Sequence, residues 1–170
     1  MRAFCILAIA CVAFSDALPS VKDGCPIVNH QPSNFQGKTA QVNANFVSTI
    51  DRISSYATAA GVELYITSSF RKDTNIHGST VVPPASKSNH MVGHAIDMNV
   101  VYSGGFCNSV CLSGQLPAPV AAFINKIRQD PALRWGGDFS EPDVVHIDDG
   151  LNINNPDEWD REYIQAQKYC

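Results

Sequence analysis

A single α+β domain, with a small antiparallel sheet flanked by helices, is the fold class this 170-residue chain predicts. Three observations predict it. The length suits one ordinary domain. Hydrophobic residues make up 45% and charged residues 16%, which suits a chain with a real core. Helical and strand-like patterns alternate along it, with no repeat, low-complexity tract or linker to divide them.

The elements follow in order. Arg2, the apolar run "AFCILAIACVAF" and the small residues of "SDALPS" form the pattern of a secretory signal peptide, so residues 1–17 are expected to be removed and 18–170 to fold. The apolar run is well short of the roughly 20 residues a membrane-spanning helix needs. Residues 18–38 hold turn formers and no period, and read as an extended lead-in. From Thr39, Val42, Phe46, Ile50, Ile53 and Ala57 recur at helical spacing, with Gly61 placed to end the helix. "VELYITSSF" is rich in β-branched and aromatic residues and reads as a strand. Residues 71–89 read as a long surface loop, and loops of that length are often functional. "HAIDMNVVY" is a second strand. Pro119 sits in the first turn of the helix "VAAFINKIRQ". "RWGGDFSEPD" is a glycine-rich turn region, and "VVHID" is a short strand. The last helix covers "NPDEWDREYIQAQKY", with Asn155 as its cap and Pro156 at its first position.

Signal removal leaves four cysteines: Cys25, Cys107, Cys111 and Cys170. An even set in an exported chain reads as two disulfides, with three connectivities open. Pairing Cys25 with Cys170 and Cys107 with Cys111 would tie the ends and close one short loop. A four-thiolate zinc site is disfavoured, because C-x3-C has no matching second pair. The net charge of −4 and the lack of a basic cluster argue against nucleic acid as a partner. No other stretch is apolar enough to span a membrane, and a monomer is expected.

Chemistry concentrates in "SNHMVGHAIDM". An aspartate inside an apolar strand is costly unless it is paired or metal-bound. Asp97 is such a residue, and His90 could curl back across Gly93 to join it. His146 is embedded in the same way among Val144, Val145 and Ile147. His90, Asp97 and His146 together match zinc chemistry, in which catalytic sites keep three protein ligands and an open position. His94 reads as a supporting or surface residue. His77 and His30 read as solvated, Trp135 as core, and Trp159 with Tyr163 as the buried stripe of the last helix.

"SNHMVGHAID", residues 88–97, resembles the S-x-H-x-x-G-x-A-x-D motif of the zinc D-alanyl-D-alanine carboxypeptidase/dipeptidase family. "WGGDFSEPDVVH", residues 135–146, is similar to the W-G-G-D…D-x-x-H signature of its endolysin branch, the L-alanyl-D-glutamate endopeptidases. "ITSSFR" resembles the segment that precedes the first motif, with Ser69 where glycine is usual. The resemblance spans roughly residues 40–148. It implies the hedgehog/DD-peptidase fold, zinc held by His90, Asp97 and His146, Asp143 as general base and Arg71 as the partner of a substrate carboxylate or oxyanion. Asp138 and Glu141 stand near enough in sequence to serve as the base instead. The implied substrate is the stem peptide of peptidoglycan, cut by a secreted enzyme in digestive or antibacterial use. A D-Ala-D-Ala carboxypeptidase, and a non-catalytic zinc-containing binding domain like the hedgehog signalling domains, are the alternatives.

Overall fold

The computed structural model describes residues 24–72 and 86–170. The expected signal peptide and His77 lie outside them. Strands β1 (Ile27–His30) and β3 (Ala40–Asn43) form an antiparallel pair, register Val28 to Val42. The main sheet runs β2 (Phe35–Gly37), β4 (Glu63–Ser68), β5 (Ala95–Tyr102), β8 (His146–Asp148), β7 (Arg134–Trp135), and β6 (Gly105–Cys107) also pairs with β5. Every junction in it is antiparallel except one, where β2 runs parallel to β4.

Burial alternates along β5. Ile96, Met98 and Val100 are fully buried, whereas Asp97, Asn99 and Val101 are only half-buried. Helices α1 (Val47–Ala60) and α3 (Ala118–Gln129) pack together over the apolar face through Ile50, Ile53, Ala57, Val120, Phe123, Ile124 and Ile127. Each large side chain fully buried there contributes roughly 1.5–3 kcal/mol of transfer free energy. The opposite face of the sheet carries Asp97 and His146.

The first helix starts later than its period suggests. Val42 lies on β3, and a 3-10 turn at Ala44–Phe46 precedes α1. The Asn43 side chain accepts the Asn45 N–H at 3.0 Å and its own N–H donates to the Gly93 carbonyl at 2.9 Å, which holds that segment out of the helix. Strand end, turn and helix still aim Val42, Phe46 and Ile50 at one core, so the four-residue spacing survives without a continuous helix. Gly61 closes α1 in the left-handed conformation, as expected.

Short helices α2 (Ser109–Leu112) and α4 (Leu151–Asn154) sit in the connections. The last helix, α5 (Pro156–Tyr169), has Pro156 at its first position, and Asn155 Oδ1 accepts the Glu158 N–H. It packs against the turn that carries His90. Two disulfides form, Cys25–Cys170 and Cys107–Cys111, with Cα separations of 4.9 and 5.0 Å. The first ties the end of α5 to the start of the described chain. No helix among the described residues is long and apolar enough to cross a membrane.

Candidate metal centre

His90 rides on a 3-10 turn at Asn89–Val92, capped by the Ser88 side chain and closed by Gly93 at φ +76°. A Cβ at Gly93 would lie 2.6 Å from the Asn43 nitrogen, so only glycine permits the sharp return from His90 into β5. Asp97 and His146 are directly paired across β5 and β8 and therefore point from the same face. Gly136 backs this pair closely. A Cβ there would meet the Asp143 carbonyl oxygen at 2.2 Å and the His146 Cβ at 2.9 Å.

Three donor atoms converge. His90 Nε2 lies 3.1 Å from Asp97 Oδ1 and 3.1 Å from His146 Nδ1, and His146 Nδ1 lies 3.2 Å from Asp97 Oδ1. Zinc bonds of about 2.0–2.2 Å at tetrahedral angles separate donors by about 3.3 Å, close to every edge of this triangle. Two imidazoles and one carboxylate are also a donor set zinc favours, so the residues present fit the ion.

Outer contacts fix both rings. His90 Nδ1 donates to the Ser69 carbonyl at 2.7 Å, leaving Nε2 free to coordinate. His146 Nε2 donates to Asp148 Oδ2 at 3.0 Å, leaving Nδ1 free. Asp148 is itself gripped by the Arg134 fork at 2.7 and 2.6 Å and by the Asn89 amide at 2.9 Å. Burial alone would raise the Asp148 pKa, but the bonds from His146 and Arg134 hold it below the usual carboxylate range. Burial would likewise lower His146, and the bonds to Asp148 and Asp97 push it up instead, to about 9. Asp97 is held low by both histidines, against its own burial.

Asp143 lies beside the triangle. Its backbone carbonyl accepts the His146 N–H at 3.0 Å, and its carboxylate is near enough to feel Asp97, His146 and His90. Burial raises its pKa first and the charge of Asp97 adds to that, partly offset by the two histidines. Its Oδ1 is buried without a hydrogen-bond partner, an arrangement that costs energy unless a ligand supplies one. Arg71 follows the Ser69 carbonyl by two residues, and its backbone N–H bonds the His90 carbonyl at 3.2 Å. Its Nε is also buried without a partner.

The alternative bases stand elsewhere. Asp138 is half exposed and forms a two-bond pair with Arg128, at 2.8 and 2.6 Å. Glu141 is exposed. His94 is buried between Asp149 Oδ2 at 2.7 Å and Glu162 Oε2 at 2.8 Å, and is not a member of the converging group. Trp135 is core and donates its indole N–H to the Val144 carbonyl; Trp159 stacks on Tyr163 at 5.0 Å. Sequence reasoning missed Asp148, Arg134 and Asn89. Only Asp148 left a signal, since it follows His146 by two and must share its face in a strand.

Residues 83–149 match the model of a peptidase M15 family described as D-alanyl-D-alanine carboxypeptidase. The match covers less than half of the chain and includes His90, Asp97, Asp143 and His146, while Arg71 lies before it. No curated protein gives a match.

Proposed function

We propose that this chain is a secreted zinc peptidase of the D-alanyl-D-alanine carboxypeptidase family, with a hedgehog/DD-peptidase-like fold, that hydrolyses peptidoglycan stem peptides, most specifically as an L-alanyl-D-glutamate-type endopeptidase. The observation that carries it is the triangle of His90 Nε2, Asp97 Oδ1 and His146 Nδ1 with the partnerless Asp143 oxygen beside it. When bound, zinc supplies Lewis acidity for the scissile carbonyl and brings the pKa of water down to about 7.

The chain's own groups do the rest. Asp143 takes the proton of the attacking water on Oδ1 and returns it to the leaving amine, a task its raised pKa suits. Arg71 directs its guanidinium to a substrate carboxylate or to the oxyanion that develops in attack. Asp148 and Ser69 keep the two imidazoles in the tautomers that present a bare nitrogen. The two disulfides accord with an oxidising, exported setting for residues 18–170.

The matched family's description favours a second cleavage specificity, release of a terminal D-alanine. Mass spectrometry of purified sacculi digested by the mature protein decides between them, run with zinc, with chelator and with Asp143→Ala. New D-Glu amino termini, lost in both controls, are the expected result. Released D-alanine would move the enzyme to the carboxypeptidase specificity. No product from a folded, zinc-loaded protein would leave a binding domain.

A further inference from the structure

The sheet face that carries Asp97 and His146 continues away from the metal centre. Along β5 the same face presents Asn99 and then Val101. Register places Tyr65 opposite Asn99, and Phe106 opposite Val101 on the other side. The two rings meet edge to face across the strand, with centroids 5.6 Å apart and planes at 77°. They are 40% and 51% exposed, among the few large apolar side chains the described residues leave open. Gln36, opposite Tyr65, and Glu63, opposite Val101, form the far rim and hydrogen-bond each other.

This strip has the chemistry of a ring binder. Aromatic faces suit the C–H face of a pyranose, and the Asn99 and Gln36 amides suit its hydroxyl and acetamido groups. It holds no lysine or arginine, and Glu63 opposes anions. A carboxylate-rich stem peptide would be drawn to Arg71 and Lys72, which follow β4 at the end that flanks Asp97. The strip therefore favours a neutral N-acetylated sugar over the peptide.

Distance adds a second constraint. At about 3.3 Å per residue, Asn99 and Val101 lie about 7 and 13 Å along the strand from Asp97. In peptidoglycan the stem begins on a lactyl ether of the sugar, followed by L-Ala. Two such units span about 7 Å from the sugar to an L-Ala–D-Glu bond, whereas a terminal D-Ala–D-Ala bond is about five units, or 17 Å, away. We infer that Tyr65, Asn99 and Phe106 form a subsite for the N-acetylated sugar that bears the stem peptide, and that this subsite selects the sugar-proximal bond. The inference rests on the peptidase reading above and deepens it.

The test compares two substrates, the L-Ala–D-Glu stem peptide free and the same peptide on its N-acetylmuramyl sugar. The zinc-loaded wild type should prefer the sugar-bearing form, and the double variant Tyr65→Ala/Phe106→Ala should lower the ratio of the two kcat/KM values by about tenfold. Both side chains are partly exposed, and thermal melts check that the variant folds. An unchanged ratio overturns the inference, as does equal cleavage of both substrates by the wild type. NMR titration with the N-acetylglucosamine–N-acetylmuramic acid disaccharide, its lactyl carboxyl capped as the methylamide so that the sugar is neutral as it is in the stem-bearing chain, reads binding without catalysis. Shifts at Tyr65, Asn99 and Phe106 support the subsite even if neither peptide is cut, a result that would sink the peptidase reading alone. Absence of such shifts overturns the subsite whatever is cleaved.

Discussion

Two histidine–carboxylate clusters lie within a few residues of each other, and they do opposite things. In the first, His90, Asp97 and His146 aim one donor each at a common point, and every other polar atom on the histidines is tied down behind them. In the second, His94 stands between two carboxylates. Nδ1 meets Asp149 at 2.7 Å, and Nε2 lies 2.8 Å from Glu162 but off the line of a good hydrogen bond. Glu162 in turn accepts from the Asn43 and Asn45 amides. The first cluster leaves a position for an ion. The second closes on itself, with His94 held between Asp149 and Glu162, and ties α5 to the entry of β5. Residue type is the same in both; what separates a candidate metal centre from a structural ion pair is where the free lone pairs point.

The change with the largest expected effect removes a converging donor. Asp97→Ala should weaken zinc beyond the roughly 100-fold reach of an outer contact, and peptide cleavage should fall to background. Competition against a zinc-buffering chelator reads the affinity. Retention of near-native affinity would mean that the triangle is not the metal site.

The same kind of truncation in the second cluster should act on stability alone. His94→Asn strands Glu162 and Asp149, and breaking a buried pair costs about 3–5 kcal/mol. Zinc affinity of the folded protein should move by less than about threefold. The pH dependence separates the clusters further. Burial opposes the charge on His94, but its bond to Asp149 and its close ionic contact with Glu162 raise its pKa from 6.5 to about 9. A raised histidine stabilises fully below 6.5, and that contribution, about 3 kcal/mol, is lost as pH climbs through 9. Glu162, lowered by the same contact despite burial, sets the acid limit, its share vanishing as pH falls through its depressed value. His146 is also raised to about 9, so chelated protein should lose stability between pH 6.5 and 9 through both residues. With zinc bound, His146 can no longer hold that proton on Nδ1, and only the His94 slope should remain. Equal slopes in thermal melts with and without zinc would contradict the comparison.

An intermediate effect belongs to the support of the first cluster. Asp148→Asn keeps the shape but weakens the acceptor behind His146, and should cost 10- to 100-fold in zinc affinity, on the order found for outer ligand partners. A similar loss on changing Glu162→Gln would erase the distinction between the clusters.

The grouping of His90, Asp97 and His146 was legible in the sequence mainly through the motif resemblance, with a physical hint beside it, and the second cluster was not legible at all. Asp97 and His146 interrupt apolar strand runs, and a buried polar group without an evident partner advertises a ligand. Asn155, Pro156 and Gly61 likewise announce helix ends through chemistry confined to a few residues. The pairing of His94 with Glu162 depends instead on α5 returning across the His90 turn, which no local pattern encodes. Val42 shows the same limit from the other side. Its spacing to Phe46 and Ile50 satisfied the helix period, yet the Asn43 cap and the pairing of β3 with β1 decided its conformation. The four short strands β1, β2, β6 and β7 were hidden for the same cause, since each is defined by its neighbour rather than by alternation along itself.

The smallest effect is expected from a carboxylate that belongs to neither cluster, and it sharpens the assignment of the base. Asp138 lies within the glycine-rich turn five residues before Asp143, and in sequence either could serve. Its side chain is 48% exposed and engaged by Arg128, which itself covers the Trp135 ring at 4.6 Å. An exposed pair of this kind contributes about 0–1 kcal/mol. Arg128 holds the Asp138 pKa low, against slight burial, so the residue is a poor proton acceptor near neutral pH. Asp143 has the opposite setting, raised by burial and by Asp97, with one oxygen unpartnered. Asp138→Asn should therefore leave zinc affinity and kcat within about twofold of wild type, while Asp143→Asn keeps the metal and lowers kcat by about 10²–10⁴. Steady-state kinetics on a stem-peptide substrate reads both. A large loss in Asp138→Asn with Asp143→Asn active would transfer the base to Asp138, and would require the turn at Gly136 and Gly137 to rearrange when substrate binds.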